Sequence, residues 1–213
     1  MRKVLVLGKI RDAGLDRLRA AQLFEVVERP DNPSDLHEQA RDTWGIVVRT
    51  TPINRALLQH APELRIVARH GVGYDAVDVP ALTERGIPLA VTGDVNAIPV
   101  AEHALALMLD LAKKITPYDH AIRDGRFNVR DAFAATELGG RTVLVIGFGR
   151  IGRRVARLCR AFGMHVLAAD PFVAAETVAA EGAEFVSDFH GGLPRADYVS
   201  IHAPKMPGAG PLI

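Results

Sequence analysis

The chain has 213 residues, with 26 Lys and Arg against 25 Asp and Glu, for a net charge of +1. A hydrophobic fraction of 48% and a charged fraction of 24% exclude a disordered, collagen-like or coiled-coil chain. The charge balance argues against a dedicated nucleic-acid or membrane-surface binder, and the length suits one large domain or two small ones. A single cysteine excludes an internal disulfide and fits a reducing cytoplasm. The apolar run in MRKVLVLGKI is too short for a signal peptide or a membrane span.

Short β-branched runs alternate with helical stretches from the start. Strands are predicted at Val4–Leu7, Phe24–Val27, Ile46–Val48, Arg65–Ala68 and Leu89–Val91. The helices between them are predicted at Asp12–Ala20, Asp35–Ala40, Ile53–Gln59 and Pro80–Arg85. Continuous apolar strands imply burial on both faces, hence a parallel sheet covered by helices. Repeats of this size make a flavodoxin-like, doubly wound α/β domain within residues 1–98.

Pro99 then suits the first position of a helix, where its missing N–H costs nothing. Residues 100–112 are apolar almost all round, so this linker helix (99–114) is expected to be buried on most sides. Residues 115–140, with Gly125, Gly139 and Gly140, read as an irregular arm. Four more strands are predicted at Thr142–Gly147, Met164–Asp170, Glu184–Val186 and Tyr198–Ile201. Helices Ile151–Phe162 and Ala174–Glu181 lie between the first three. The tail KMPGAGPLI carries turn signals and no periodicity.

The strongest chemical signal is VLVIGFGRIG, a G-x-G-x-x-G at Gly147, Gly149 and Gly152. It follows an apolar strand and opens an amphipathic helix, and Asp170 stands 18 positions beyond Gly152 at the end of the next strand. That context is the dinucleotide-binding pattern. Gly147 permits the tight turn, Gly149 lets the backbone approach a pyrophosphate, and Gly152 lets helix and strand pack closely. The helix N-terminus at Arg150 and Ile151 offers N–H groups and a positive dipole end. Asp170 would accept hydrogen bonds from a ribose and repel a 2′-phosphate, which favours NAD over NADP. The helix after the turn carries Arg153, Arg154, Arg157 and Arg160, read as a solvated face because the whole chain is near neutral. Cys159 reads as a small core residue and His103 as a packed or capping residue.

Two further loops follow predicted strand ends, where doubly wound sheets bind ligands. RHGVGYDAVDV offers N–H groups around Gly71, Val72 and Gly73 to a carboxylate. VRTTP offers Arg49, Thr50 and Thr51 to a small acid. His202, in SIHAP, ends a strand and lines the adenine side of the cofactor pocket with Pro204. The histidines and the one cysteine lack metal-ligand spacing, so no metal site is expected.

Taken together, VRTTPI, RHGVGYDAVDVPALTERGIPLA, NAIPVAEHALALMLDLAKK, ELGGRTVLVIGFGRIGRRVARLCRAFGMHVLAADPF and LPRADYVSIHAPKMP resemble the D-isomer-specific 2-hydroxyacid dehydrogenases. The resemblance implies a flavodoxin-like substrate domain and a Rossmann NAD-binding domain flanking a cleft. It implies a substrate carboxylate held near Val72, Gly73, Arg49 and Thr50, and hydride transfer between NAD and the C2 of a small 2-hydroxy or 2-keto acid. Members usually dimerise through the segment matching residues 99–140. The family's catalytic arginine, glutamate and histidine lie beyond the segment matching LPRADYVSIHAPKMP, so no residue here is assigned a catalytic role. The expectation is a carboxy-terminally truncated chain: 1–98 without its return segment, then 99–213 as the first half of the NAD-binding domain. Such a chain would have little or no dehydrogenase activity alone. The alternative is a non-catalytic NAD-binding or interaction module.

Overall fold

The computed structural model describes residues 1–204 and 210–213. Of the turn-rich tail expected over 205–213, residues 205–209 lie outside that description. The chain divides into two compact units, Met1–Val95 and Asn96–Ile213.

The first unit holds five strands, β1 (Arg2–Leu7), β2 (Phe24–Arg29), β3 (Thr43–Val48), β4 (Ile66–Arg69) and β5 (Leu89–Val91). They pair in parallel in the order β2-β1-β3-β4-β5, the flavodoxin-like order. Helices α1 (Asp12–Ala20), α2 (Leu36–Gln39), α3 (Arg55–Gln59) and α4 (Val79–Glu84) connect them. Val4, Leu5, Val6 and Leu7 are each at most 4% exposed. Successive strand side chains point to opposite faces, so a run buried throughout must be covered on both. Leu5 and Leu7 pack with Leu57 and Leu58 of α3 and Leu82 of α4. Val4 and Val6 pack with Leu15 of α1. Side-chain caps start α3 and α4: Asn54 accepts from Leu57 N–H and Asp78 from Ala81 N–H, both at 2.9 Å.

The second unit opens with α5 (Ala97–Lys113) and α6 (Ile115–Arg123), followed by a 3₁₀ turn at Phe127–Ala132. Pro99 is therefore the third helical residue rather than the first. Its missing N–H is still one of the four that a helix start leaves unpaired. The irregular arm expected over 115–140 is helical in its first third. Lys114 takes a left-handed conformation (φ 55°) between the two helices, and Asp110 Oδ1 accepts both the N–H (2.7 Å) and the hydroxyl (2.9 Å) of Thr116.

The expectation that 100–112 is buried on most sides is corrected. Ala97, Ala101, Leu105, Met108 and Ala112 form one buried stripe at helical spacing, while Leu107 and Leu111 are 53% and 60% exposed. Apolar composition on every side does not tell core from an uncovered face.

Strands β6 (Thr142–Ile146), β7 (His165–Ala169), β8 (Glu184–Phe185) and β9 (Tyr198–Ile201) form a parallel sheet in the order β8-β7-β6-β9. Helix α7 (Arg150–Ala161) follows β6 and α8 (Ala175–Ala180) follows β7. A short helix α9 (Phe189–Gly192) and a 3₁₀ turn (Leu193–Arg195) precede β9, where no helix was predicted. Two glycines and a proline in FHGGLPR hide it from any periodic signal. Cys159 is a core residue, with Sγ 3.9 Å from Met108 Sδ. Burial pushes its thiol up to about 11.

Candidate functional site

Strand β6 is central in its sheet, and the chain leaves its C-terminal end through Gly147, Phe148 and Gly149 into α7. Each glycine has its own requirement. Gly147 has φ +92°, and a Cβ there would meet the backbone of His202 and Ala203 at 2.6–2.9 Å. A Cβ on Gly152 would stand 2.0 Å from Gly147 O. A Cβ on Gly149 would enter open space in front of α7.

The first intrahelical bond runs from Arg153 N–H to Gly149 O at 3.0 Å. The N–H groups of Arg150, Ile151 and Gly152 find no partner among the described residues. Open space beside three free N–H groups and a positive dipole end is what a pyrophosphate needs. The donors present thus fit a dinucleotide.

Asp170 follows the end of β7 and is half-buried. Its Oδ2 accepts the Phe148 N–H at 2.7 Å and its Oδ1 the Phe172 N–H at 2.8 Å. A carboxylate offers about four acceptor positions, so about two stay available to the vicinal hydroxyls of a ribose. His202 follows β9, where its N–H donates to Ile146 O at 2.7 Å. Its Nε2 lies 2.8 Å from Ser200 Oγ, and burial holds the imidazole below its usual pKa. Pro204 is exposed. Gly147, Asp170 and His202 each follow the last residue of one of three hydrogen-bonded strands, so β6, β7 and β9 bring them to one sheet end.

Sequence reasoning missed Phe148, which is fully buried between the two glycines, and Arg153, whose Nε donates to Phe148 O at 3.1 Å. The only signal available was an aromatic residue inside a glycine turn. His103, expected to be packed or capping, is exposed on α5.

In the first unit, Arg49 and Thr50 leave β3 while Val72 and Gly73 follow β4, its hydrogen-bonded neighbour. Arg49 N–H donates to Leu7 O at 3.2 Å, and His70 N–H to Val48 O at 2.7 Å. Both loops therefore emerge at the C-terminal edge of the sheet. Arg49, Thr50 and Gly73 are exposed, and the N–H groups of Val72 and Gly73 have no partner among the described residues. Two expectations are corrected here. Gly71 N–H is taken by Arg69 O at 2.9 Å, so it is no free anion donor. Thr51 is buried, and its Oγ1 accepts the Asn32 N–H at 3.0 Å. A separate cavity of about 250 Å³ opens between the loops after β2 and β3, lined by Asn32, Ser34, His37 and Asn54 among others. It includes none of Arg49, Thr50, Val72 or Gly73. No group of three metal-ligating side chains occurs among the described residues, and no helix described is long and apolar enough to cross a membrane.

Residues 105–213 match the family model described as D-isomer specific 2-hydroxyacid dehydrogenase, NAD binding domain. A D-3-phosphoglycerate dehydrogenase of Archaeoglobus fulgidus is 38% identical over 204 residues, covering 95% of this chain and 38% of its own length. One from Mycobacterium leprae is 39% identical over 210 residues, covering 99% and 39%. The chain thus spans under two fifths of the length of these curated relatives. Among solved structures, TT0316 of Thermus thermophilus is 30% identical with a TM-score of 0.86, over 96% of this chain and 66% of that one. The D-lactate dehydrogenase of Aquifex aeolicus, solved with NAD and lactic acid, is 27% identical with a TM-score of 0.85, over 95% and 61%. The turn at Gly147–Gly152, the carboxylate of Asp170 and these matches agree: the chain belongs to the D-isomer-specific 2-hydroxyacid dehydrogenase family, and its cofactor is NAD.

Proposed function

We propose that this chain supplies the NAD-binding and acid-binding parts of an oxidoreductase acting on a small 2-hydroxy or 2-keto acid. Phosphoglycerate, glycerate and glyoxylate are the acids in view. The observation that carries the proposal is the trio of free N–H groups at Arg150, Ile151 and Gly152 beside the doubly anchored Asp170. In this reading Gly147, Gly149 and Gly152 shape the pyrophosphate seat, and Arg150 adds a cation at its mouth. Asp170 takes the ribose hydroxyls, and His202 and Pro204 flank the adenine. Bound NAD supplies a hydride acceptor or donor. Val72 and Gly73 N–H groups, with Arg49 and Thr50, hold the acid's carboxylate.

We further propose that the 213 residues bind these ligands without turning them over. The curated relatives align to this chain over only 38–39% of their length. The uncovered face of α5, with Leu107 and Leu111, supports self-association through residues 99–140. The unpaired cysteine supports a cytoplasmic location. Calorimetric titration with NAD, with Asp170→Ala as the control, tests the binding proposal. Binding that the substitution leaves unchanged overturns it. NADH oxidation by the purified chain with hydroxypyruvate or glyoxylate would overturn the proposal that it binds without turnover.

A further inference from the structure

We infer that Arg153 is a positioning residue for the cofactor turn: it turns two consecutive carbonyls away from the anion seat and so aims the N–H groups opposite them. The inference rests on the proposal that the Gly147–Gly152 turn seats the pyrophosphate. Arg153 reaches the turn twice. Its backbone N–H donates to Gly149 O at 3.0 Å, and its side-chain Nε donates to Phe148 O at 3.1 Å. Its guanidinium also lies over the Phe148 ring, 5.7 Å from the centroid.

In a planar trans peptide the C=O and the following N–H point in opposite directions. Holding Phe148 O therefore directs the Gly149 N–H away from Arg153, and holding Gly149 O does the same for the Arg150 N–H. The other side of Phe148 is pinned as well, since its N–H donates to Asp170 Oδ2 at 2.7 Å and its ring is fully buried. With the Gly147–Phe148 peptide held through its N–H and the Phe148–Gly149 peptide through its C=O, the second peptide is kept from rotating to offer its carbonyl to the phosphate. Donors already aimed at an anion cost no reorganisation when it arrives.

A different role would serve the same end. Arg153 could simply attract the pyrophosphate as a charge, and an isosteric series separates the two. Arg153→Met places a carbon where Nε stands, losing both donor and charge. Arg153→Gln places a neutral N–H donor at that position. The affinities of NAD, ADP-ribose and adenosine for the whole chain are measured by calorimetry, with saturation-transfer NMR for adenosine. A neutral hydrogen bond is worth a factor of about three to ten in an equilibrium constant. Arg153→Met is expected to weaken NAD and ADP-ribose by about that factor and to leave adenosine unchanged, with Arg153→Gln close to the parent chain for all three. Equal weakening in both variants would assign the effect to charge and overturn the inference. Equal weakening of adenosine in Arg153→Met would mark general damage and overturn it too, as would unchanged affinities in Met. If the parent chain binds neither NAD nor ADP-ribose, the cofactor-site proposal itself falls and takes this inference with it.

Discussion

A Cβ on Gly152 would lie 2.0 Å from the carbonyl oxygen of Gly147, whereas one on Gly149, three residues earlier, would meet nothing within 4 Å. The two glycines of one motif therefore answer to different demands. Gly152 serves packing, and Gly149 keeps the space before α7 clear. Gly152→Ala should destabilise the fold by about 1–3 kcal/mol, because backbone must move to make room. Gly149→Ala should leave the melting temperature unchanged, since its φ of −77° suits any residue, yet weaken NAD binding. Thermal melts beside NAD titrations check the split.

Asp170 is expected to matter to fold and ligand together. Asp170→Ala removes the acceptor of the Phe148 and Phe172 N–H groups as well as the proposed ribose contact. Hydrogen bonds to a charged group are worth about 1.5–3 kcal/mol, so NAD affinity should fall about tenfold or more. NADP, freed of a repelling carboxylate, should lose less. Titrating both cofactors against both proteins gives the ratio.

His202 predicts a pH dependence of stability. Burial lowers its pKa in the folded state, so the unfolded chain takes up its proton first as pH falls. The stability is fully present above the unfolded value of about 6.5 and declines as pH drops from there towards the folded value. Replacing His202 with Gln should flatten the fall in melting temperature between about pH 7 and pH 5. A variant that melts with the parent's pH profile would remove His202 from the account.

The face of α5 that carries Leu107 and Leu111 should hold two copies together. Charging it with Leu107→Glu and Leu111→Glu is expected to convert a dimer into a monomer without lowering the melting temperature, as both side chains are more than half exposed. Sedimentation velocity reads the outcome.

The strand pattern was legible because every buried position of β1 and β6 is apolar, as two-sided burial requires. The glycine turn was legible because its three roles depend on backbone shape, which residue type reports directly. The anchoring of Asp170 by Phe148 was not. The two stand 22 positions apart, and the bond uses a backbone N–H that every residue but proline carries. The same blindness hid the engagement of Gly71 N–H by Arg69 O. For α5, hydropathy alone could not separate Leu105, buried, from Leu107, exposed two residues on.

Ile146 pairs with Ala169 on one side and with Ile201 on the other, which sets Gly147, Asp170 and His202 level at the sheet end. A slip of one residue in either pairing would separate them and reverse the faces of the slipped strand. In the proposed site, ligand occupancy would therefore be thermodynamically linked to the alignment of β7, β6 and β9. A cofactor held at about a hundred times its dissociation constant would add about 2.7 kcal/mol to that alignment by mass action. NAD would then act as a clamp on the very sheet that binds it.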